Sequence, residues 1–242
     1  MEQNTFPYSA SSRSQALSGR GSFLVKTYAH LFGAITLFAV LEAVLFGVFP
    51  QQVIGAITAL GSKGSALLLL GLCLVTPFVG GFILRRWQSR AAQYLVLVMN
   101  VLLETLIFIP ILTLAIILTK NLGIVLHAAV GTVLLTALLS VIVFMTRNNF
   151  SFLRPFILFA SIAALGIVIA SLIFGFHLGT IFVYAMIVLA CCYILFSTGR
   201  VMDSYYLGLG DVGGGHILAA SELFVSVMML FYYILVAVMN RR

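Results

Sequence analysis

YLVLVMNVLLETLIFIPILTLAIIL, running from Tyr94 to Leu118, contains one charged residue, Glu104, and one helix-breaking residue, Pro110. It exceeds the roughly 20 apolar residues a helix needs to cross a hydrocarbon core about 30 Å thick. Lipid offers the backbone no hydrogen-bond partners, so a run of this kind reads as a transmembrane helix. Six comparable stretches flank it: Leu24–Val48, Gly64–Leu84, Ile124–Phe144, Phe152–Phe174, Gly179–Phe196 and Ile217–Val238. The pattern predicts an all-α integral membrane protein, a seven-transmembrane-helix bundle forming one domain over residues 23–240. The ten-residue alternation of a membrane β-barrel is nowhere visible.

Composition agrees. The chain is 62% hydrophobic and 8% charged, with a mean hydropathy of +1.19, outside the range of ordinary soluble domains. The loops are too short to form a second domain. The formal charge of +7 does not point to nucleic acid, because the basic residues lie beside helix ends and never cluster.

Those basic residues set the expected orientation. With the N-terminus in the cytoplasm, the inner segments hold nine: Arg13, Arg20, Lys26, Arg85, Arg86, Arg90, Arg147, Arg154 and Arg200. The outer segments hold four: Lys63, Lys120, Arg241 and Arg242. The positive-inside bias therefore favours a cytoplasmic N-terminus. Seven crossings would put Arg241 and Arg242 outside; a re-entrant last segment would return them inside.

Residues 1–22 are polar and serine-rich and read as a flexible cytoplasmic tail. They are no signal peptide, since the following apolar stretch is too long for an h-region and lacks an A-x-A-like site. Cys73, Cys191 and Cys192 are odd in number and without C-x-x-C spacing, so packed thiols are expected, with neither disulfide nor zinc. The glycines at 208, 210 and 213–215 form no G-x-x-x-x-G-K-[ST], and Asp203 and Asp211 beside them would repel a phosphate. A flexible connector is expected there. His30, His127, His177 and His216 read as separate interfacial histidines, because no two share a helix at metal-ligand spacing. No cofactor and no metal site are expected.

Function has to reside in the polar groups inside the helices, since a charge at a helix centre costs about 2.5–3.5 kcal/mol on insertion scales. Three acids qualify: Glu42, Glu104 and Glu222. Glu42 is late in its helix and is expected to snorkel to the outer surface. Glu104 lies deeper, on a helix with Asn100 and Pro110, and the proline leaves the carbonyl four residues earlier without its usual donor. Glu222 is about two turns into the last helix, with Ser226 at i+4 on its face. Arg85 and Arg86 lie at a compatible depth. A carboxyl balanced between burial and an arginine is either a proton-sensitive latch or a static ion pair. The fifth helix carries Gly166 and Ala170 as a small-xxx-small pair, which predicts close packing and a buried central position.

Several segments carry a family resemblance: Lys26–Phe32 (KTYAHLF), Phe144–Leu153 (FMTRNNFSFL), Tyr193–Met202 (YILFSTGRVM) and His216–Phe224 (HILAASELF). In order and spacing they resemble the Bax inhibitor (transmembrane Bax inhibitor motif) family over nearly the whole chain after the tail. The resemblance implies a seven-helix fold with one enclosed helix and a cation pathway, described as a pH-sensitive calcium leak. It also implies relatives that restrain cell death in animals and plants, and bacterial members that associate with an ATP-dependent membrane protease. The family's sensor is a pair of aspartates. Their counterparts here are Ser197, in Phe196-Ser197-Thr198, and Ser226, in Leu223-Phe224-Val225-Ser226. The arginine that pairs with the aspartates is matched by Arg85 or Arg86, and a third-helix glutamate by Glu104.

Two coupled carboxyls can interconvert a closed protonated bridge and an open ionised state. Serines cannot ionise, so that switch is expected to be lost, with Glu222 as a relocated acid. Calcium favours several hard oxygen ligands, which a single acid at this depth does not supply. Proteases and retinal proteins are excluded: there is no G-x-S-G serine with a partner histidine, and no lysine in the last helix. No internal repeat marks a secondary transporter. Two functions fit. One is a cation (calcium-type) leak or channel with altered or lost pH gating. The other is a non-conducting regulator that binds another membrane protein, such as an ATP-dependent membrane protease. With no endoplasmic-reticulum retention signal or long basic tail, a multi-pass protein of the bacterial cytoplasmic membrane is expected.

Overall fold

The computed structural model describes the backbone of residues 10–86, 89–119, 123–146, 150–206 and 215–241. Side chains are described from Gly21 onward, leaving out 62–63, 66, 73–81, 84–86, 119 and 203–206. The helices are α1 (Ala10–Val48), α2 (Pro50–Arg86), α3 (Arg90–Thr119), α4 (Gly123–Thr146), α5 (Leu153–Phe174), α6 (Thr180–Tyr206) and α7 (Gly215–Met239). A single 3-10 turn, Phe150–Phe152, leads into α5. Among the described residues, α1 and α3 to α7 are the six helices long and apolar enough to cross a membrane.

Boundaries differ from the sequence expectation in three places, the simplest being α6, which continues ten residues past Phe196 to Tyr206. Helix α1 reaches back to Ala10, so the part of the serine-rich segment from Ala10 onward is helical and continuous with the span. The expected outer loop between Phe49 and Lys63 is helical too, and α2 bends within it at Gly61. There φ is 66° and ψ 179°, a backbone region that is essentially reserved for glycine.

Cross-helix contacts fix the directions. His30 of α1 meets Tyr94 of α3 and His216 of α7 near the starts of α3 and α7, while Phe38, further along α1, meets Phe108 of α3 and Phe224 of α7. Helices α1, α3 and α7 therefore run parallel, and the end at which they start is called the lower end. Helix α6 runs against α7, pairing Arg200 with Glu222 low and Phe182 with Tyr233 high. Helix α4 likewise runs against α1, with Phe144 beside Tyr28.

The enclosed helix is α7, not α5. It packs on α1, α3, α4 and α6, and Ala220, Leu223, Phe224, Leu230 and Leu235 are fully buried. Half of its apolar window is buried, against 6% for α5, which packs on α6 and the 3-10 turn. A Cβ on Gly166 would meet nothing within 4 Å. Small residues permit close approach but do not compel it; in α7, large side chains fill the space between four neighbours. Helix α7 is also one unbroken helix of 25 residues, about 37 Å long at 1.5 Å per residue, so the last segment is not a hairpin.

Candidate functional site

The bundle interior carries polar side chains in its lower half and a band of aromatic rings above them. Lowest is an ion pair: Arg200 Nη1 lies 3.1 Å from Glu222 Oε2, both side chains about half exposed (52% and 45%). The guanidinium also sits over the Phe196 ring at 5.7 Å. The cation that meets Glu222 is thus Arg200, from the antiparallel neighbour α6. The side chains of Arg85 and Arg86 lie outside the described residues, as does the glycine-rich segment over 207–214.

Ser197 and Ser226 do come together. Their hydroxyls are 3.3 Å apart in the α6–α7 interface, and both residues are buried. Ser226 donates to the Glu222 backbone carbonyl at 2.9 Å, which leaves its lone pairs to accept from Ser197. That carbonyl is the link between Glu222 and Ser226. The Glu222 carboxylate is engaged by Arg200 and stays half exposed.

Other polar contacts share this layer. Asn100 Nδ2 of α3 donates to Ser221 Oγ of α7 at 2.7 Å, while Asn100 Oδ1 is buried with no partner. Beside Ser197, the fully buried Thr198 faces the Tyr28 hydroxyl together with Ser140, though not in hydrogen-bond geometry. Helices α1, α3, α4, α6 and α7 each contribute at least one polar group here. Polar groups within membrane-spanning helices usually face the bundle interior or a wet cavity, and here they converge on one layer of it.

Glu104 is buried one turn above Asn100 on the same face of α3. One turn higher again, Phe108 closes the interior. It stacks on Phe231 (5.1 Å, 13°) and meets Phe38 (5.1 Å) and Tyr232 (5.7 Å) edge-on. Phe108 and Phe224 have no exposed surface.

Above this band lies Glu42, the residue sequence reasoning undervalued. It is 8% exposed, and among the described residues neither carboxylate oxygen has a hydrogen-bond partner. The expected snorkelling to the outer surface does not occur. Helix α1 continues six residues beyond it to Val48, about 9 Å of rise, which two methylenes cannot span. Its signal in the sequence was the Phe38–Glu42 spacing, which puts the acid one turn past a core aromatic on one face. Glu104 and Glu42 thus bracket the aromatic band, each one turn from a phenylalanine in the band.

The histidines also depart from expectation. His30 and His216 belong to different helices, yet their rings are 5.1 Å apart. His30 Nδ1 donates to the Lys26 carbonyl at 2.7 Å, so its Nε2, 2.9 Å from the Tyr94 hydroxyl, accepts in the neutral ring. Among the described residues, no group of three or more His, Cys, Asp or Glu residues could hold a metal ion.

A family model described as Inhibitor of apoptosis-promoting Bax1 matches residues 20–242 of the chain. No curated protein and no solved structure matches it.

Proposed function

The chain belongs to the Bax inhibitor family, and from that premise we propose that it is a multi-pass cation leak, calcium-type in the family's manner, with its pH gate altered. Its route runs up the interface of α1, α3, α6 and α7. An ion would enter past Arg200 and Glu222, pass the serine pair, and reach Glu104 beneath the aromatic band. Glu42 receives it above. The observation that carries this reading is the pair of buried acids on either side of one hydrophobic constriction. Rings of carboxylate select cations, and apolar constrictions gate by excluding water. A buried carboxylate with no partner is otherwise hard to account for, since it costs energy and stabilises nothing.

The parallel course of α1 and α3 supports a seventh crossing, because α2 has to return the chain from the upper end to the lower. The lower end then carries Lys26, Arg90, Arg154 and Arg200 and is the cytoplasmic side by the positive-inside bias. That orientation fits a bacterial cytoplasmic membrane.

Calcium flux into proteoliposomes containing the purified protein, from about pH 5 to pH 8, tests the reading. Flux above empty liposomes, reduced at least about tenfold by Glu104→Gln and by Glu42→Gln, is expected, because a neutral amide no longer attracts a cation to the route. No flux at any pH in the wild type would overturn it. That result would favour a second reading, a non-conducting regulator that docks a membrane partner. One observation supports that alternative: the small-residue face of α5, with Gly166 open to the surroundings, has room for a foreign helix.

A further inference from the structure

A groove of about 300 Å³ runs between α1 and α3 on the outside of the bundle. Ala29, Gly33 and Leu37 line it from α1, and Leu97, Val98 and Val101 from α3. Helix α2 packs on both of these helices, and none of its described side chains lines the groove. The groove exists because α1 presents small residues on this face: a Cβ on Gly33 would meet nothing within 4 Å.

The lower mouth of the groove is polar. His30 and Tyr94 close it with their 2.9 Å hydrogen bond. One turn below, about 6 Å by helical rise, each helix carries an exposed cation on the same face: Lys26 at i−4 from His30, and Arg90 at i−4 from Tyr94. The carboxylates among the described residues are remote or engaged. Glu42 is sixteen residues above Lys26 and Glu104 fourteen above Arg90, while Glu222 pairs with Arg200.

We propose that this groove binds one anionic phospholipid, its phosphate held at Lys26 and Arg90 and one acyl chain laid along Gly33, Leu97 and Val98. The order of groups along the membrane normal is that of the lipid itself. Two cations sit at headgroup depth, a hydrogen-bonding His–Tyr pair at the level of the ester linkages, and an apolar channel continues into the hydrocarbon. Basic sites between transmembrane helices on the cytoplasmic side select acidic headgroups, and Arg and Lys supply charge-assisted hydrogen bonds to phosphate oxygens. The groove selects for chain occupancy and the cations for charge, so the two contributions can be separated by substitution.

Native mass spectrometry of the protein, extracted and then exchanged into micelles with equal phosphatidylglycerol and phosphatidylcholine, provides the test. The wild type is expected to retain one phosphatidylglycerol with at least about tenfold preference, the scale set by two cations at an anionic surface. The double change Lys26→Gln/Arg90→Gln removes the preference. Gly33→Leu, which the open space around Gly33 accommodates, removes the bound lipid while helix content and elution volume stay unchanged. Equal retention of the two lipids by the wild type would overturn the proposal. So would retention in Gly33→Leu at the wild-type level, which would mean a surface charge contact with no chain in the groove. Neither readout depends on ion flux.

Discussion

Ser197 and Ser226 illustrate how much chemistry the exchange of a carboxyl for a hydroxyl decides. Their hydroxyls meet at 3.3 Å inside the α6–α7 interface, a separation at which two carboxyls would titrate as one coupled unit. As serines they hold two helices together and have no charge to lose. Replacing both, Ser197→Asp/Ser226→Asp, is expected to make flux vary with pH between about 5 and 8, where neither single replacement does, because coupling needs both acids. Proteoliposome flux across that range measures it. The meeting of these two positions was legible from the motifs around them. The contact of Glu222 with Arg200 was not: no motif signals that the rotation of α6 about its axis brings Arg200 within 3.1 Å.

At the scale of the element, the period of apolar residues located every helix but not its surroundings. Helix α5 is the most apolar candidate and looks internal in sequence, yet it lies at the periphery with most of its surface open. In lipid, apolar character no longer separates inside from outside, so hydropathy loses the discrimination it has in water. Polar side chains separate them better: α3 and α7, the two most buried candidates, carry Asn100, Glu104, Ser221 and Ser226. The bend in α2 at Gly61 and the helix before it were not legible, because Pro50–Gly61 lacks a long apolar run. Gly61→Ala is expected to destabilise the protein by about 1–3 kcal/mol, because an alanine is strained at positive φ with extended ψ. Thermal unfolding in detergent should show a lowered midpoint, with Gly55→Ala, at an ordinary helical position in open space, as the unchanged control.

For the whole molecule, the number of long apolar stretches determined the architecture, and the contacts between them determined its sense. Three helices start at one end and two of their antiparallel neighbours at the other, an alternation that a single strand of chain achieves only by crossing each time. With the native cysteines at 73, 191 and 192 replaced, Ser89→Cys is expected to react with a membrane-impermeant thiol reagent only from the cytoplasmic side. Gly179→Cys, just before α6, should react only from the other side. Labelling of intact cells against everted vesicles reads this directly. Both positions reacting from one side would require an even number of crossings between them and would remove the orientation used for the ion route.

The two buried glutamates also set a relation to the membrane's electric field. Each lies one turn from the Phe38–Phe108 contact, so they are separated by about 12 Å along the normal. That is roughly two-fifths of a hydrocarbon core about 30 Å thick. A monovalent ion stepping from Glu104 to Glu42 would therefore traverse about two-fifths of the transmembrane voltage, or about 0.9 kcal/mol per 100 mV, and a divalent ion twice that. On the proposed ion route, the step between the two acids would therefore carry about two-fifths of any voltage dependence of the flux.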